Sequence, residues 1–253
     1  MKHHLIIALF FLPFQLFAFD FKSISAEYDV SYAFLGKVGE THADLSIDGG
    51  TYKIRIEANG KGFAKFFSQG RREIYESTGI VKNGQFLPSL FVKHRMWGSK
   101  EERKRYFFNH DKKEISVIKT DVNGAKVKET RELLPYYANN DILTLFFNLR
   151  QLIGKDLFPN KKIQLYAVGA NNKDGHLSVE VPGTKMKNVM KKLLKKDDNL
   201  LIVILNQELF ASKIGEFYIN ITDKGLCDSV VLKDVVLYGD LVGKMKNLKI
   251  EKR

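Results

Sequence analysis

The side chains that could carry out nucleophilic or metal chemistry stand far apart in this sequence. The only cysteine is Cys227, and beyond residue 18 no serine occupies the Gly-x-Ser-x-Gly spacing of a nucleophile elbow. His42, His94, His110 and His176 occur singly, and none has the His-x-x-x-His spacing that brings two imidazoles to one metal ion. We therefore predict a non-enzymatic protein with no catalytic centre, no metal site and no cofactor.

A basic and aromatic stretch is the first feature that could bind a ligand. Arg95, Trp97 and Lys100 lie close together, and an indole among cations is typical of a membrane interface or of a stacking platform for bases. The export signal described below argues against nucleic acid. Trp97 is therefore a candidate ligand-binding residue, and the alternative is a hairpin with one apolar face and one solvated basic face.

A second candidate is a short basic amphipathic helix near 185–196, entered through Pro182-Gly183-Thr184. Its apolar stripe consists of Met186, Val189, Met190, Leu193 and Leu194, and lysines cover much of the remaining surface. Such a helix can lie on an anionic membrane or cover a lipid pocket, which makes Met190 and Lys191 candidate binding residues. The alternative is a surface helix whose stripe packs on the sheet.

A third candidate is a buried helix near 140–153. Apolar residues recur there at helical spacing, Asn140 or Asp141 can cap its start, and Gly154 can close its end. Its wide apolar face predicts burial against a sheet, where it would partly close an apolar interior. Its candidate ligand-binding residues are Phe146, Leu149 and Arg150. Asp141 is interpreted as a helix cap.

The rest of the chain has the two-residue periodicity of strands joined by tight turns. Tyr28, Val30 and Tyr32 alternate with polar residues, and Asp48-Gly49-Gly50 predicts a hairpin. Further turns are predicted at 82–84, 109–111 and 123–124, a spacing of roughly ten residues that is typical of a β-meander. We predict a mainly β fold, a curved antiparallel sheet or open β-barrel of one or two β lobes, with the two helices described above.

The first residues predict export. After Lys2, the run from Leu5 to Phe19 carries no charge and is shorter than the roughly twenty residues of a membrane-spanning helix. We expect a cleaved signal peptide at 1–18, a single exported domain at 19–253, a periplasmic location, and no transmembrane span after cleavage. Because only one cysteine is present, no disulfide can form within the chain.

The charge of the chain suggests the chemistry of a partner. Its formal net charge is +12 at pH 7. In a periplasm, such an excess favours contact with lipid head groups or another anionic envelope component rather than with nucleic acid. Peripheral contact with a membrane is one expectation, and the alternative is that the lysines serve only solubility.

Several short motifs follow one another in an order typical of a known family. They are Glu27-Tyr28-Asp29-Val30-Ser31-Tyr32, Leu35-Gly36-Lys37-Val38-Gly39, Tyr52-Lys53-Ile54 with Gly62, the Gly84 to Pro88 turn, Asp141-Ile142-Leu143-Thr144 with Leu149-Arg150, and Gly239-Asp240 with Gly243. In these motifs the chain resembles the exported bacterial family known as domain of unknown function 3108. The resemblance implies an exported protein rich in antiparallel strands, with no catalytic residues. The segment at 185–196 departs from the family pattern.

Three functions are compatible with these features. The leading hypothesis is a non-enzymatic periplasmic binding or carrier protein for a lipid or another amphiphile, which predicts an enclosed apolar cavity. The alternative is an envelope assembly or scaffold protein that binds a protein partner through a sheet edge or its basic surface, which predicts a filled core and a bare edge. The third is a cell-wall hydrolase, which predicts carboxylates that converge in a polar cleft.

Overall fold

The chain folds into one large sheet with two helices. The computed structural model describes residues 20–32, 36–60, 72–154, 157–171, 173–196, 199–205, 215–222, 225–235 and 239–253. The predicted signal peptide at 1–18 lies outside these residues. Within them, fifteen strands form a single sheet, so the predicted mainly β fold is confirmed.

The strands divide into two runs along the chain. The N-terminal half of the sheet contains β1 (Phe21–Tyr32), β2 (Gly36–Asp48), β3 (Thr51–Gly60), β4 (Arg72–Lys82), β5 (Gln85–Trp97), β6 (Lys100–Asn109), β7 (Glu114–Asn123) and β8 (Lys126–Leu133). The C-terminal half contains β9 (Asn140–Asp141), β10 (Lys162–Val168), β11 (His176–Glu180), β12 (Leu200–Ile204), β13 (Glu216–Ile221), β14 (Cys227–Val235) and β15 (Gly239–Lys252). The helices are α1 (Ile142–Ile153) and α2 (Thr184–Leu194).

The pairing of β1 with β15 joins the two halves into one continuous sheet. Neighbouring strands are antiparallel except for the short β9, which is parallel to β10. The described strands leave the sheet open rather than closed into a barrel, because β8 and β9 are its two outermost strands. The predicted hairpins at 48–50, 82–84, 109–111 and 123–124 are confirmed, since each of these segments connects paired neighbours.

Helix α1 lies between the two halves of the sheet, as its wide apolar face predicts. Leu143 belongs to a core that lines the N-terminal half and includes Phe86 and Phe91. Leu145 and Leu149 belong to a second core against the C-terminal half. Because one helix packs against both halves, the sheet curves around it, and we call the sheet face that contacts α1 the concave face.

Helix α2 packs on the opposite face of the C-terminal half. Met190 and Leu194 are buried there against Tyr218 and Val231. The interpretation of the apolar stripe as a packing surface is therefore confirmed for these two residues and for the partly buried Met186, although Val189 and Leu193 remain exposed. No helix among the described residues combines the length and the apolar character needed to cross a bilayer.

Candidate functional site

Helix α1 completes the hydrogen bonding at the start of β5 on the edge away from β4, where β6 does not reach. The stretch from Gly84 to Pro88 lies before the first residue of β5 that pairs with β6. Asn148 takes the place of a strand: its Oδ1 accepts from the Phe86 N–H at 2.9 Å, and its Nδ2 donates to the Phe86 carbonyl oxygen at 2.9 Å. Gln151 donates to the Gly84 carbonyl at 2.9 Å. Buried backbone groups need such partners, so this contact is structural.

Asp141 is the N-cap residue of α1 and is buried. Its Oδ1 accepts hydrogen bonds from the N–H groups of Leu143 and Thr144, so the interpretation of Asp141 as a helix cap is confirmed. The Ser77 hydroxyl donates to Asp141 Oδ2 at 2.5 Å, and the Tyr52 hydroxyl is 2.9 Å from Ser77 Oγ. Burial raises the pKa of the Asp141 carboxyl to about 6, although these hydrogen bonds favour its charged form.

The six predicted ligand-binding residues lie in three separate places. Phe146, Leu149 and Arg150 are on α1, Trp97 is at the end of β5, and Met190 and Lys191 are on α2. Leu149 and Met190 are fully buried core side chains, whereas Arg150 is exposed and Phe146 is half-buried against the Phe147 ring. The structure therefore does not bring these residues together into one site.

Trp97 shares the concave face with Arg95, which the sequence already placed beside it, and with Lys93, which the sequence pattern did not single out. Phe91 points into the N-terminal core, and side chains alternate between the two faces of a strand. Lys93, Arg95 and Trp97 therefore follow Phe91 along the same face of β5. Trp97 lies opposite Lys100 at the turn of the β5 and β6 hairpin.

Three lysines on neighbouring strands form the main feature of this face. Lys93 of β5 lies opposite Lys104 of β6, and Lys104 lies opposite Lys119 of β7. Tyr106 and Val117 of the N-terminal core are two residues from the lysines of their own strands, which places these lysines on the concave face. We call Lys93, Lys104 and Lys119 the lysine row. Like charges in directly opposite positions destabilise a sheet.

Lys93 is the least solvated member of the lysine row. Its Nζ lies 5.5 Å from the centre of the Tyr75 ring. Burial, together with the positive charges of Arg95 and Lys104, lowers the pKa of the Lys93 ammonium to about 8. Such a shift means that the surrounding structure disfavours the charged form, a property that is frequent at functional sites.

The neighbouring charges are distributed unevenly along the lysine row. Lys104 pairs with Glu102 at 3.2 Å, and Lys119 pairs with Asp121 at 3.2 Å. Within the described part of the chain, Lys93 forms no ion pair. Lys93 is therefore the member of the lysine row without a carboxylate at ion-pair distance among the described residues, although Glu73 and Glu102 lie near enough to favour its charged form.

Arg95 lies between two carboxylates on the same face. Its Nε is 3.7 Å from Glu73 Oε2, and one of its terminal nitrogens is 4.0 Å from Glu102 Oε2. The Tyr75 hydroxyl donates to Glu73 at 2.5 Å. The two carboxylates are thus held on either side of a guanidinium, and the lysine row adjoins this half-buried charged cluster.

Two small cavities lie among the described residues. One of about 190 Å³ is lined by Lys113, Glu114, Ile115, Leu133, Leu134, Pro135, Tyr136 and Tyr137. Another of about 130 Å³ is lined by Glu27, Tyr28, Asp29, Glu40, His42 and Lys246. Pockets for small molecules generally measure roughly 300–1,000 Å³. In the same described ranges, no three His, Cys, Asp or Glu side chains are grouped as a metal site would require.

The comparison with known proteins identifies the family. The model of the family described as "Protein of unknown function (DUF3108)" matches residues 27–225, and the chain belongs to that family. No curated protein matches the chain. The matched range includes the lysine row and both helices, so these features lie within the family domain.

Proposed function

We propose that this DUF3108 protein is a non-enzymatic periplasmic binding protein for an anionic amphiphile, and that the lysine row binds the acidic group of the ligand. The observation that carries the proposal is the position of Lys93. Its ammonium is partly buried between Lys104 and Arg95 and forms no ion pair within the described residues. A bound anion would supply the missing negative charge.

The energetics of the lysine row favour an anionic ligand over an empty surface. Repulsion between Lys93 and Lys104 and the burial of Lys93 both disfavour the folded state. A phosphate or carboxylate at this position would form charge-assisted hydrogen bonds, which are roughly twice as strong as neutral ones. Residues that lower stability in the free protein and gain a partner in the complex are expected at a binding site.

The apolar part of the ligand can extend along β5 toward Trp97, and on this path it passes Arg95, whose charge is already paired with Glu73 and Glu102. Four residues separate Lys93 from Trp97 on the same face, a distance of about 13 Å at the usual rise of a strand. An indole at that distance would contact an acyl or isoprenoid chain while Lys93 holds the head group. We therefore place the ligand along the concave face of β5 to β7 rather than inside the core that α1 fills.

A titration with dodecyl phosphate, below its micelle concentration and near pH 7, tests this proposal. Binding is measured by calorimetry and by the fluorescence of Trp97, the only tryptophan of the chain. We expect saturable binding that Lys93→Gln weakens at least tenfold, because a charged partner is lost. The matched control is Lys82→Gln, which replaces an exposed lysine on β4 and is expected to bind as the wild type does.

Two further measurements test whether the affinity for dodecyl phosphate depends on charge and whether Lys93→Gln leaves the fold intact. Zwitterionic dodecylphosphocholine has the same chain length and is expected to bind at least tenfold more weakly, because its net charge is zero. The free Lys93→Gln variant is expected to be at least as stable as the wild type, because the substitution removes a disfavoured charge. Equal affinity of wild type and Lys93→Gln for dodecyl phosphate would overturn the proposal.

A further inference from the structure

Strand β8 is an exposed edge with an unusual pattern of charges. It is the outermost strand of the N-terminal half, and all eight of its residues are exposed. Val127 and Leu133, near its two ends, are 68% and 64% exposed. Isolated edges usually carry charges that prevent pairing with other chains. The charges of β8, however, are complementary to those of the same strand running in the opposite direction.

We propose that β8 pairs antiparallel with β8 of a second copy, around a two-fold axis that passes beside Thr130. Thr130 then lies opposite Thr130 of the second copy. Each residue before Thr130 lies opposite the residue that is equally far after Thr130 in the second copy. Glu129 lies opposite Arg131, Lys128 opposite Glu132, and Val127 opposite Leu133, with each pair formed twice by symmetry. Two opposite-charge pairs and one apolar pair on each side of the axis are all favourable neighbours across strands.

The neighbouring registers are unfavourable. A two-fold axis perpendicular to the sheet keeps the concave faces of both copies on the same side, so the axis can move along the strand only by whole residues. With the axis at Glu129, this residue faces its own copy and Val127 faces Arg131. With the axis at Arg131, two guanidinium groups meet and Glu129 faces Leu133. Only the register centred on Thr130 matches charges and apolar residues together.

The proposed pairing also extends the lysine row, and this consequence rests on the proposed function. Thr130 lies opposite Lys119, so it is the next position of the row across the sheet. Pairing at Thr130 would place the lysine rows of the two copies end to end on a shared concave surface. Adjacent strands are roughly 4.8 Å apart, which puts the two Lys119 backbones about 14 Å from each other.

Charge reversal tests the interface directly. Lys128 and Glu132 are exposed on the concave side of β8, so reversing either charge is expected to leave the fold intact. Lys128→Glu and Glu132→Lys each place like charges across the axis, and each alone is expected to weaken dimerisation at least tenfold in sedimentation equilibrium. A mixture of the two variants restores opposite charges at both positions and is expected to form heterodimers. The matched control is Lys82→Gln.

A cysteine crosslink tests the register independently of the charges. Thr130→Cys brings two thiols within disulfide distance across the axis, whereas Val127→Cys on the same edge leaves them about 20 Å apart, six residues along the strand. Both variants are made in a Cys227→Ser background, because the native Cys227 is only partly buried and could otherwise form disulfides of its own. We expect oxidised dimers to form at least tenfold faster with Thr130→Cys than with Val127→Cys.

The outcomes separate this proposal from the proposed function. A wild-type protein that stays monomeric at high concentration, or equal crosslinking of the two cysteine variants, would refute the dimer. Dodecyl phosphate binding by a monomer would then still support the lysine row as a binding site. Conversely, a dimer that shows the expected response to charge reversal but binds no dodecyl phosphate would leave the interface established and the proposed function refuted.

Discussion

Asp141 makes stability depend on pH. Its carboxyl has an ordinary pKa of 3.8, and burial raises the pKa in the folded state to about 6. The folded protein thus favours the neutral carboxyl of Asp141, and the stabilisation that results is present in full below pH 3.8. As the pH rises to about 6, the carboxyl ionises first in the unfolded chain, and this stabilisation of the folded state is lost. The shift corresponds to roughly 3 kcal/mol at about 1.4 kcal/mol per pKa unit.

Asp141→Asn is expected to remove this dependence. Asparagine also caps helices, and its amide can donate to Ser77 Oγ, so the helix should still form. Urea unfolding of wild type and variant at several pH values between 4 and 7 measures the effect. The control is Asp111→Asn, an exposed turn residue that should leave the dependence unchanged. If Asp141→Asn still lost stability over this range as the wild type does, another group would be responsible.

At the same scale, the sequence revealed local roles better than distant neighbours. Asp141 was predictable as a cap because the N–H groups that it binds belong to the next few residues. The lysine row was not predictable, since Lys93, Lys104 and Lys119 become neighbours only through the registers of two hairpins. Ser77 was missed for the same reason: its partner Asp141 is 64 residues away.

Among the elements, α1 depends on Asn148 for its attachment to β5. Asn148→Leu would leave the Phe86 N–H and carbonyl without side-chain partners in a buried place. Each unsatisfied buried group costs about 1–3 kcal/mol, so we expect a loss of about 3 kcal/mol in the free energy of unfolding. Hydrogen exchange at the Phe86 amide should also become faster. The matched control is Asn188→Leu on α2, where the asparagine is exposed and a small change is expected. Unchanged exchange at Phe86 would contradict this role.

The elements themselves were largely predictable, but their arrangement was not. The hairpins and both helices follow from periodicity, turn residues and caps, which are local signals. The pairing of β1 with β15 joins residues from opposite ends of the chain, and no periodicity specifies it. The open, curved sheet was predicted, but the choice of β8 and β9 as its outermost strands was not, because it depends on the pairing of β1 with β15.

For the whole molecule, the shared helix and the continuous sheet predict a single unfolding unit. Helix α1 contributes Leu143 to one core and Leu149 to the other, and β1 pairs with β15 across the two halves. Local damage to either half should therefore lower the stability of both. The chain carries one natural probe in each half, Trp97 in the N-terminal half and Cys227 in the C-terminal half.

Leu149→Ala tests this cooperativity, because Leu149 packs only in the core of the C-terminal half. Removing buried methyl groups from leucine costs about 2–5 kcal/mol. We expect the denaturation midpoint to fall equally when it is followed by Trp97 fluorescence and by the reactivity of the Cys227 thiol, which is partly buried and has a raised pKa in the folded chain. If the thiol became reactive at a lower urea concentration than the one that alters Trp97 fluorescence, the two halves would unfold separately, and α1 would join them without coupling their stability.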